Sequence, residues 1–248
     1  MIRVQRPPCP DELTAIKIQE LTAEYLADRN KAVWNKPYIR KALLAMSHNK
    51  CVYCEARIDE ESKYMEVDHY YCKDRHPTMV VEWTNLLPAC KRCNVNKGSY
   101  DIDSDGELVD PTRDDPRHHL ILINYRLRGR DDKGRRVVEY TYLNETNRSV
   151  RARFEIGSSV SEAIERLAIL AEECLASRSD RRRLGQLERG MLALLEEAKP
   201  TSEYSATAAT ILASLPEYRD VKNGLQTLGR WSQEMESLEV QMLLCNLG

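Results

Sequence analysis

The chain has 248 residues, of which 42% are hydrophobic and 31% charged, and its 37 Lys and Arg against 39 Asp and Glu leave a formal net charge of −2. That is an ordinary globular composition, long enough for a catalytic module with a helical companion, and too balanced for a molecule that traps polyanions over its whole surface. No run approaches the roughly 18 apolar residues of a membrane span, and Met1–Pro8 lacks the apolar core of a signal peptide, so a cytoplasmic protein without a membrane anchor is expected.

Asp11, after Pro10, opens a helical stretch to about Arg29 with Leu13, Ile16, Ile18 and Leu21 on its apolar face. A second helix follows Pro37, carries Ile39, Leu43 and Leu44, and stops near His48-Asn49. Tyr64 to His69 reads as a short strand and Leu86-Leu87 as another, with a helix beginning around Cys90 to Cys93. From Asp101 to Arg117 there are seven acids against two bases, an acidic turn-rich loop. Leu120 to Leu127 and Val137 to Leu143 then alternate in polarity about Gly129–Gly134, which predicts a β-hairpin. The remainder is helical. Ile164, Leu167, Ala168, Ala171 and Cys174 form one stripe, and Leu184, Leu187, Met191, Leu194, Leu195 and Ala198 form a second, ended by Pro200. A further helix covers about Tyr204 to Leu215, and the last places Leu228, Trp231, Met235, Leu238, Met242 and Cys245 on one seam. The predicted organisation is an N-terminal helical segment (1–48), a cysteine-framed core (49–100), an acidic loop with a basic hairpin (101–160) and a helical region (161–248), with a soft boundary between Arg153 and Ser161. The fold class is α+β, mainly α.

The chemistry concentrates between residues 51 and 97. The order is Cys51-x-x-Cys54, Glu66-Val67-Asp68-His69, Trp83-Thr84-Asn85-Leu86, then Cys90-x-x-Cys93-Asn94-x-x-Lys97. Two Cys-x-x-Cys pairs can place four thiolates at the corners of a tetrahedron, the arrangement of a closed structural zinc site. Cys9, Cys72, Cys174 and Cys245 are scattered and read as free thiols. Between and beside the pairs stand an acid, a histidine, two amides and a lysine, the set needed to bind a hard metal and activate a water beside a phosphate. His69 is the candidate general base because imidazole titrates near working pH. Adjacent strand side chains point to opposite faces, so Asp68 and His69 can serve one site only if the strand ends or bends there. Glu66 shares the strand face of Asp68. His48, His76, His118 and His119 lack such a setting and read as non-catalytic.

These residues resemble the HNH nuclease motif in its zinc-clamped ββα form, including the Trp-x-Asn-Leu approach, the Cys-x-x-Cys-Asn-x-x-Lys helix start and the nine-residue step from Asn85 to Asn94. Leu108–Pro111, Asp115–Leu120 and Asn147-Arg148-x-x-Arg151-Ala152-Arg153 further resemble the HNH subunit of Septu-type and retron-associated anti-phage systems, the PtuB-like proteins. The resemblance implies zinc on Cys51, Cys54, Cys90 and Cys93, and magnesium, replaceable by manganese, on Asp68 and Asn94. It makes His69 the base, Asn85 the holder of the loop that carries it, and Lys97 a contact to a phosphate oxygen. The chain departs from its nearer relatives at Tyr70-Tyr71-Cys72-Lys73, where they carry a proline and a lysine.

The implied activity is metal-dependent cleavage of nucleic acid, DNA before RNA. The implied partners are an ABC-type ATPase and, in the retron-associated form, a retron reverse transcriptase with its DNA. The ATPase is expected to dock on the helices after Ser161, with a contribution from the N-terminal helix. Tyr125–Arg153, with nine Lys and Arg against four acids, is left to meet nucleic acid. The alternatives are an RNA-cleaving effector, for instance of tRNA, or a non-catalytic zinc module that binds nucleic acid or acts as an adaptor; the complete Asp68, His69 and Asn94 set argues against the last. Asp101-x-Asp103-x-Asp105-Gly106 imitates the start of a calcium loop, but Pro111 and Thr112 stand where the exiting helix and its glutamate belong.

Overall fold

The computed structural model describes residues 1–58, 64–177 and 180–248. Among them the chain is mainly helical with two small antiparallel strand pairs, an α+β arrangement. It divides into two compact units: residues 3–120 and 127–145 with Met1, and residues 121–126 and 146–248 with Ile2.

The first unit begins with α1 (Ala15–Ala27), where the Thr14 hydroxyl accepts from the Lys17 backbone N–H and so satisfies an open helix-end donor. Its inner face is narrower than the sequence pattern suggests: Leu21 and Tyr25 are buried, whereas Ile16 is 71% exposed. Helix α2 (Pro37–Met46) takes Pro37 at its first turn, where a missing N–H costs nothing, and buries Ile39, Leu43 and Met46. It stops where His48 and Asn49 adopt left-handed φ values of 55° and 58°.

Strand β1 (Met65–His69) pairs antiparallel with β2 (Leu86–Cys90), Met65 opposite Cys90 and His69 opposite Leu86. Helix α3 (Lys91–Lys97) starts as β2 ends, and its cap is Cys90, whose sulfur accepts from the Cys93 N–H. Two four-residue helices follow, α4 (Ile102–Asp105) and α5 (Pro116–His119), capped by Asp101 and Asp115.

The predicted hairpin needs correction. The strands are β3 (Leu120–Ile123) and β4 (Arg126–Gly129), and the turn is Asn124-Tyr125, with consecutive positive φ values of 49° and 62° as a tight twisted hairpin demands. Val137 to Leu143 is not a strand; α6 (Asp132–Tyr140) occupies most of it. The Asp131 carboxylate accepts from the Gly134 N–H and caps that helix, and the buried Gly134 and Val137 lie three apart, a helical step. Gly134 serves close packing: a Cβ there would lie 2.0 Å from the His119 carbonyl oxygen.

The second unit holds α7 (Arg151–Ala176), entered through a π-helical turn at Thr146–Val150, and then α8 (Arg181–Glu197), α9 (Ser205–Ser214), α10 (Pro216–Thr227) and α11 (Gln233–Cys245). The predicted stripes supply its core: Ile164, Ala171 and Cys174 of α7 are buried, as are Leu184, Leu187, Met191, Leu194 and Leu195 of α8. Residues 153–161 lie inside the unbroken α7. Helix α10 is absent from the sequence reading, and Leu228 and Trp231 precede α11, which starts at its Ser232 cap. No helix among the described residues is long and apolar enough to cross a membrane.

Candidate functional site

Four sulfurs meet where β2 joins α3. Cys51 and Cys54 come from the turn after α2, Cys90 ends β2, and Cys93 sits in the first turn of α3. All four Sγ atoms lie within 4.8 Å of one another, and Cys54 and Cys90 are 3.8 Å apart. Zn–S bonds of about 2.3 Å would give a tetrahedral edge of about 3.8 Å, so the cluster is compatible with zinc. The sulfurs polarise one another: hydrogen bonds from Cys51, Cys54 and Cys93 hold the Cys90 thiol far below its usual range, while burial pushes Cys51 far above it. Burial also opposes the charge of Arg92, but the neighbouring sulfurs outweigh it and hold the guanidinium more firmly protonated. Arg92 also pairs with Glu145 at 3.0 Å.

On the other side of the same ββα unit lies a cleft of about 600 Å³. Glu66, Asp68 and His69 of β1 and Asn94 of α3 line it, together with Trp34 and Asn35 from the link into α2, Arg40 of α2, and Lys73. Helix geometry explains how neighbours in sequence serve different sites, since consecutive residues are about 100° apart around the axis. Cys93 therefore faces the sulfurs while Asn94 faces the cleft.

His69 is the last residue of β1, so the strand ends where the Asp-His step requires it to. Its Nε2 lies 2.8 Å from the Val80 carbonyl oxygen. A carbonyl only accepts, so Nε2 carries the proton and Nδ1 keeps its lone pair, free of protein hydrogen bonds among the described residues. Burial pushes the imidazole down to about 4, against the pull of the Val80 hydrogen bond and of Asp68. It is therefore neutral near pH 7.

Asp68 is 3% exposed and doubly engaged: Tyr53 donates its hydroxyl at 2.6 Å, and the Lys97 ammonium sits 3.0 Å away. Lys97 also donates to the His69 carbonyl at 2.5 Å. The lysine expected on a phosphate is thus turned inward, buried under β1, and does not line the cleft. Asn94 donates through Nδ2 to Glu66 at 2.8 Å, which leaves its Oδ1 for another partner. Asn85 is 1% exposed and clamps the loop after His69. Its Oδ1 accepts from the Tyr71 N–H at 2.7 Å, and its Nδ2 donates to the Tyr71 and Met79 carbonyls at 3.1 and 3.0 Å. It thereby seats Val80, the partner of His69.

Tyr53, Trp34 and Arg40 do not stand out in the sequence. Tyr53 lies inside the first Cys-x-x-Cys pair, and a lone Trp between helices or a lone Arg within one carries no motif. His76 stands 3.5 and 3.6 Å from Asp101 and Asp103, a partly exposed charge cluster that links the loop after His69 to the acidic turn. The basic stretch Tyr125–Arg153 is not one free stripe. The chain passes between units within it, Lys133 pairs with Asp114 at 2.8 Å, Arg151 pairs with Glu155 at 2.7 Å, and Arg153 is buried.

No protein-family model matches the chain. Over 239 residues, 96% of this chain and 92% of the relative, it is 43% identical to Septu protein PtuB of Bacillus thuringiensis. It is 27% identical to Septu protein PtuB of Bacillus mycoides strain KBAB4, over 48% of this chain and 54% of that one. It is also 26% identical to protein ea31 of Escherichia phage lambda, over 61% of this chain and 55% of that one.

Proposed function

Because this chain belongs to the PtuB family of Septu proteins, and is thus a component of a multi-subunit anti-phage defence system, we propose that it is the HNH endonuclease subunit of that system, cutting DNA with a divalent metal. The observation that carries this reading is the placement of His69: its Nε2 lies 2.8 Å from the Val80 carbonyl, which leaves Nδ1 to accept a proton, at a cleft lined by Glu66, Asp68 and Asn94.

Those three residues offer carboxylate and amide oxygens, the donor set of a hard cation, so magnesium would be held by Asp68 and Asn94 with Glu66 beside them. When bound, it would neutralise charge growing on the phosphate. His69 Nδ1 takes the proton of the attacking water as the water oxygen bonds to phosphorus and the bond to the leaving oxygen breaks. Tyr53 and Lys97 keep the Asp68 carboxylate oriented, and Asn85 keeps the base in register through the loop. Arg40 and Lys73 take the phosphate-binding role expected of Lys97. The four cysteines would hold zinc as a clasp between β2 and α3, and a set of four thiolates would leave no position open for chemistry.

The test is cleavage of supercoiled plasmid with magnesium. Wild-type protein, alone or with its partner subunit, should nick it, and His69→Ala should not. Cleavage at the wild-type rate by His69→Ala removes the reading, and cleavage of a tRNA in place of plasmid moves the substrate to RNA.

We further propose that the second unit docks an ABC-type ATPase. Val240, Leu243 and Leu244 of α11 are 56%, 48% and 52% exposed, an apolar face that catalysis does not need. Leu243→Glu with Leu244→Glu should abolish co-purification with the ATPase, and full retention places docking elsewhere.

A further inference from the structure

A single hydrogen bond sets the distance of an imidazole from its partner but leaves the ring free to rock about that bond. His69 has one such bond, from Nε2 to Val80. A second contact therefore has to define the plane of the ring, and the structure supplies it from a distant part of the sequence. Trp34 meets His69 with ring centroids 4.9 Å apart and planes at 88°, the edge-to-face geometry that aromatic quadrupoles favour.

Trp34 is itself anchored. Tyr25, a buried residue of α1, meets it edge-on at 5.9 Å and 75°. The Lys73 ammonium sits 5.6 Å from its ring centroid, within range of a cation–π contact. Its neighbour Val33 is 2% exposed, and backbone hydrogen bonds from Asn35 to Ala32 (3.0 Å) and from Lys36 to Trp34 (2.9 Å) fold the chain tightly around it. Both Trp34 and His69 border the cleft. A line of packed rings thus runs from the α1 core to the imidazole.

We propose that Trp34 is a positioning residue: it holds the His69 ring in the plane that keeps Nε2–H on Val80 and turns Nδ1 to the cleft. The effect on turnover rests on the nuclease reading above; the effect on the histidine ring does not. Without Trp34 the ring can rock or flip about Cβ–Cγ, lose the Val80 bond and exchange tautomers. Misplacing a reacting group by about 1 Å can cost about 10²-fold in rate.

The experiment uses the full chain with Trp34→Ala, Trp34→Leu and Trp34→Phe. Leucine fills most of the volume without a ring, and phenylalanine keeps the edge-to-face contact. In nitrogen-15 histidine NMR, wild-type His69, assigned by its loss in His69→Gln, should show one Nε2–H tautomer with a slowly exchanging ring proton. Trp34→Leu and Trp34→Ala should convert it to averaged tautomers with fast exchange, and Trp34→Phe should restore it. In plasmid cleavage with magnesium, kcat should fall about 10- to 10²-fold for the ringless variants, with KM unchanged and recovery by phenylalanine. A single protected Nε2–H in Trp34→Leu overturns the proposal. So does a rise in KM without a fall in kcat, which would place Trp34 on the substrate. If the tautomer shift appears as expected but no variant and no wild-type protein cuts nucleic acid, the positioning role stands and the nuclease reading falls.

Discussion

The ββα unit carries two clusters of reactive side chains, and they are built on opposite rules. At the junction of β2 and α3, four sulfurs face one another within 4.8 Å, and every donor in the set is directed inward. Across β1, Glu66, Asp68, His69 and Asn94 face a cleft; Glu66, His69 and Asn94 each have one atom bound to protein and another left over, while Tyr53 and Lys97 engage both oxygens of Asp68. Cys93 and Asn94 are adjacent in the sequence, yet one belongs to each cluster. The difference teaches what separates a clasp from a reactive site. A saturated donor set has only folding to contribute, whereas a half-saturated one is held rigid by one bond and keeps another atom for a ligand.

The clasp should dominate stability. Cys90→Ser should remove bound metal, which wild-type protein should hold at about one zinc per chain, and unfold the first unit. Structural zinc contributes about 10–16 kcal/mol of apparent binding in small zinc modules, and that binding is coupled to folding. Metal analysis with circular dichroism checks this, and a folded, metal-free wild-type protein would contradict it.

The cleft should dominate rate. His69→Ala should cut plasmid cleavage by about 10²- to 10⁴-fold, the usual worth of a general base, while zinc content and helicity stay as in wild type. A variant that also loses zinc would show that the two clusters are not separable.

Between these extremes lies the pair beneath the cleft. Lys97→Met should cost about 3–5 kcal/mol in urea unfolding because it leaves the buried Asp68 carboxylate without its cation. Adding Asp68→Asn should recover much of that loss, since groups in direct contact are not additive. Strict additivity would mean that the 3.0 Å contact carries no coupling.

Asn85→Ala should cost less, about 1–3 kcal/mol for the unsatisfied loop groups. Hydrogen exchange should quicken at the Tyr71 amide, which donates to its side chain. The smallest effect is expected at Arg40, on the rim of the cleft. Arg40→Ala should weaken DNA binding and lower the slope of log affinity against log salt by about 1, the signature of one lost phosphate contact.

Much of this comparison is legible in the sequence, and the reason is locality. A Cys-x-x-Cys turn brings its own sulfurs together, and an Asp-His step at a strand end and a Cys-Asn step at a helix start orient their side chains through backbone geometry alone. The pairing of β1 with β2 sets Asp68, His69 and Asn94 around one cleft, and the Val52 N–H, which donates to the Pro88 carbonyl at 3.1 Å, brings the Cys51–Cys54 turn to Cys90 and Cys93. The buried stripes of α7 and α8 were equally readable, because period and burial agree there. Sequence reading failed where two local signals competed. Val137 to Leu143 has the alternation of a strand, but the Asp131 cap and the approach of Gly134 to His119 favour a helix. Only the tertiary structure decided the direction of Lys97, whose flexible four-carbon stem could have reached solvent or phosphate and instead turns inward under β1 to Asp68. It alone brought Trp34 edge-on to His69, since contacts between residues so far apart in the chain leave no period or spacing to read.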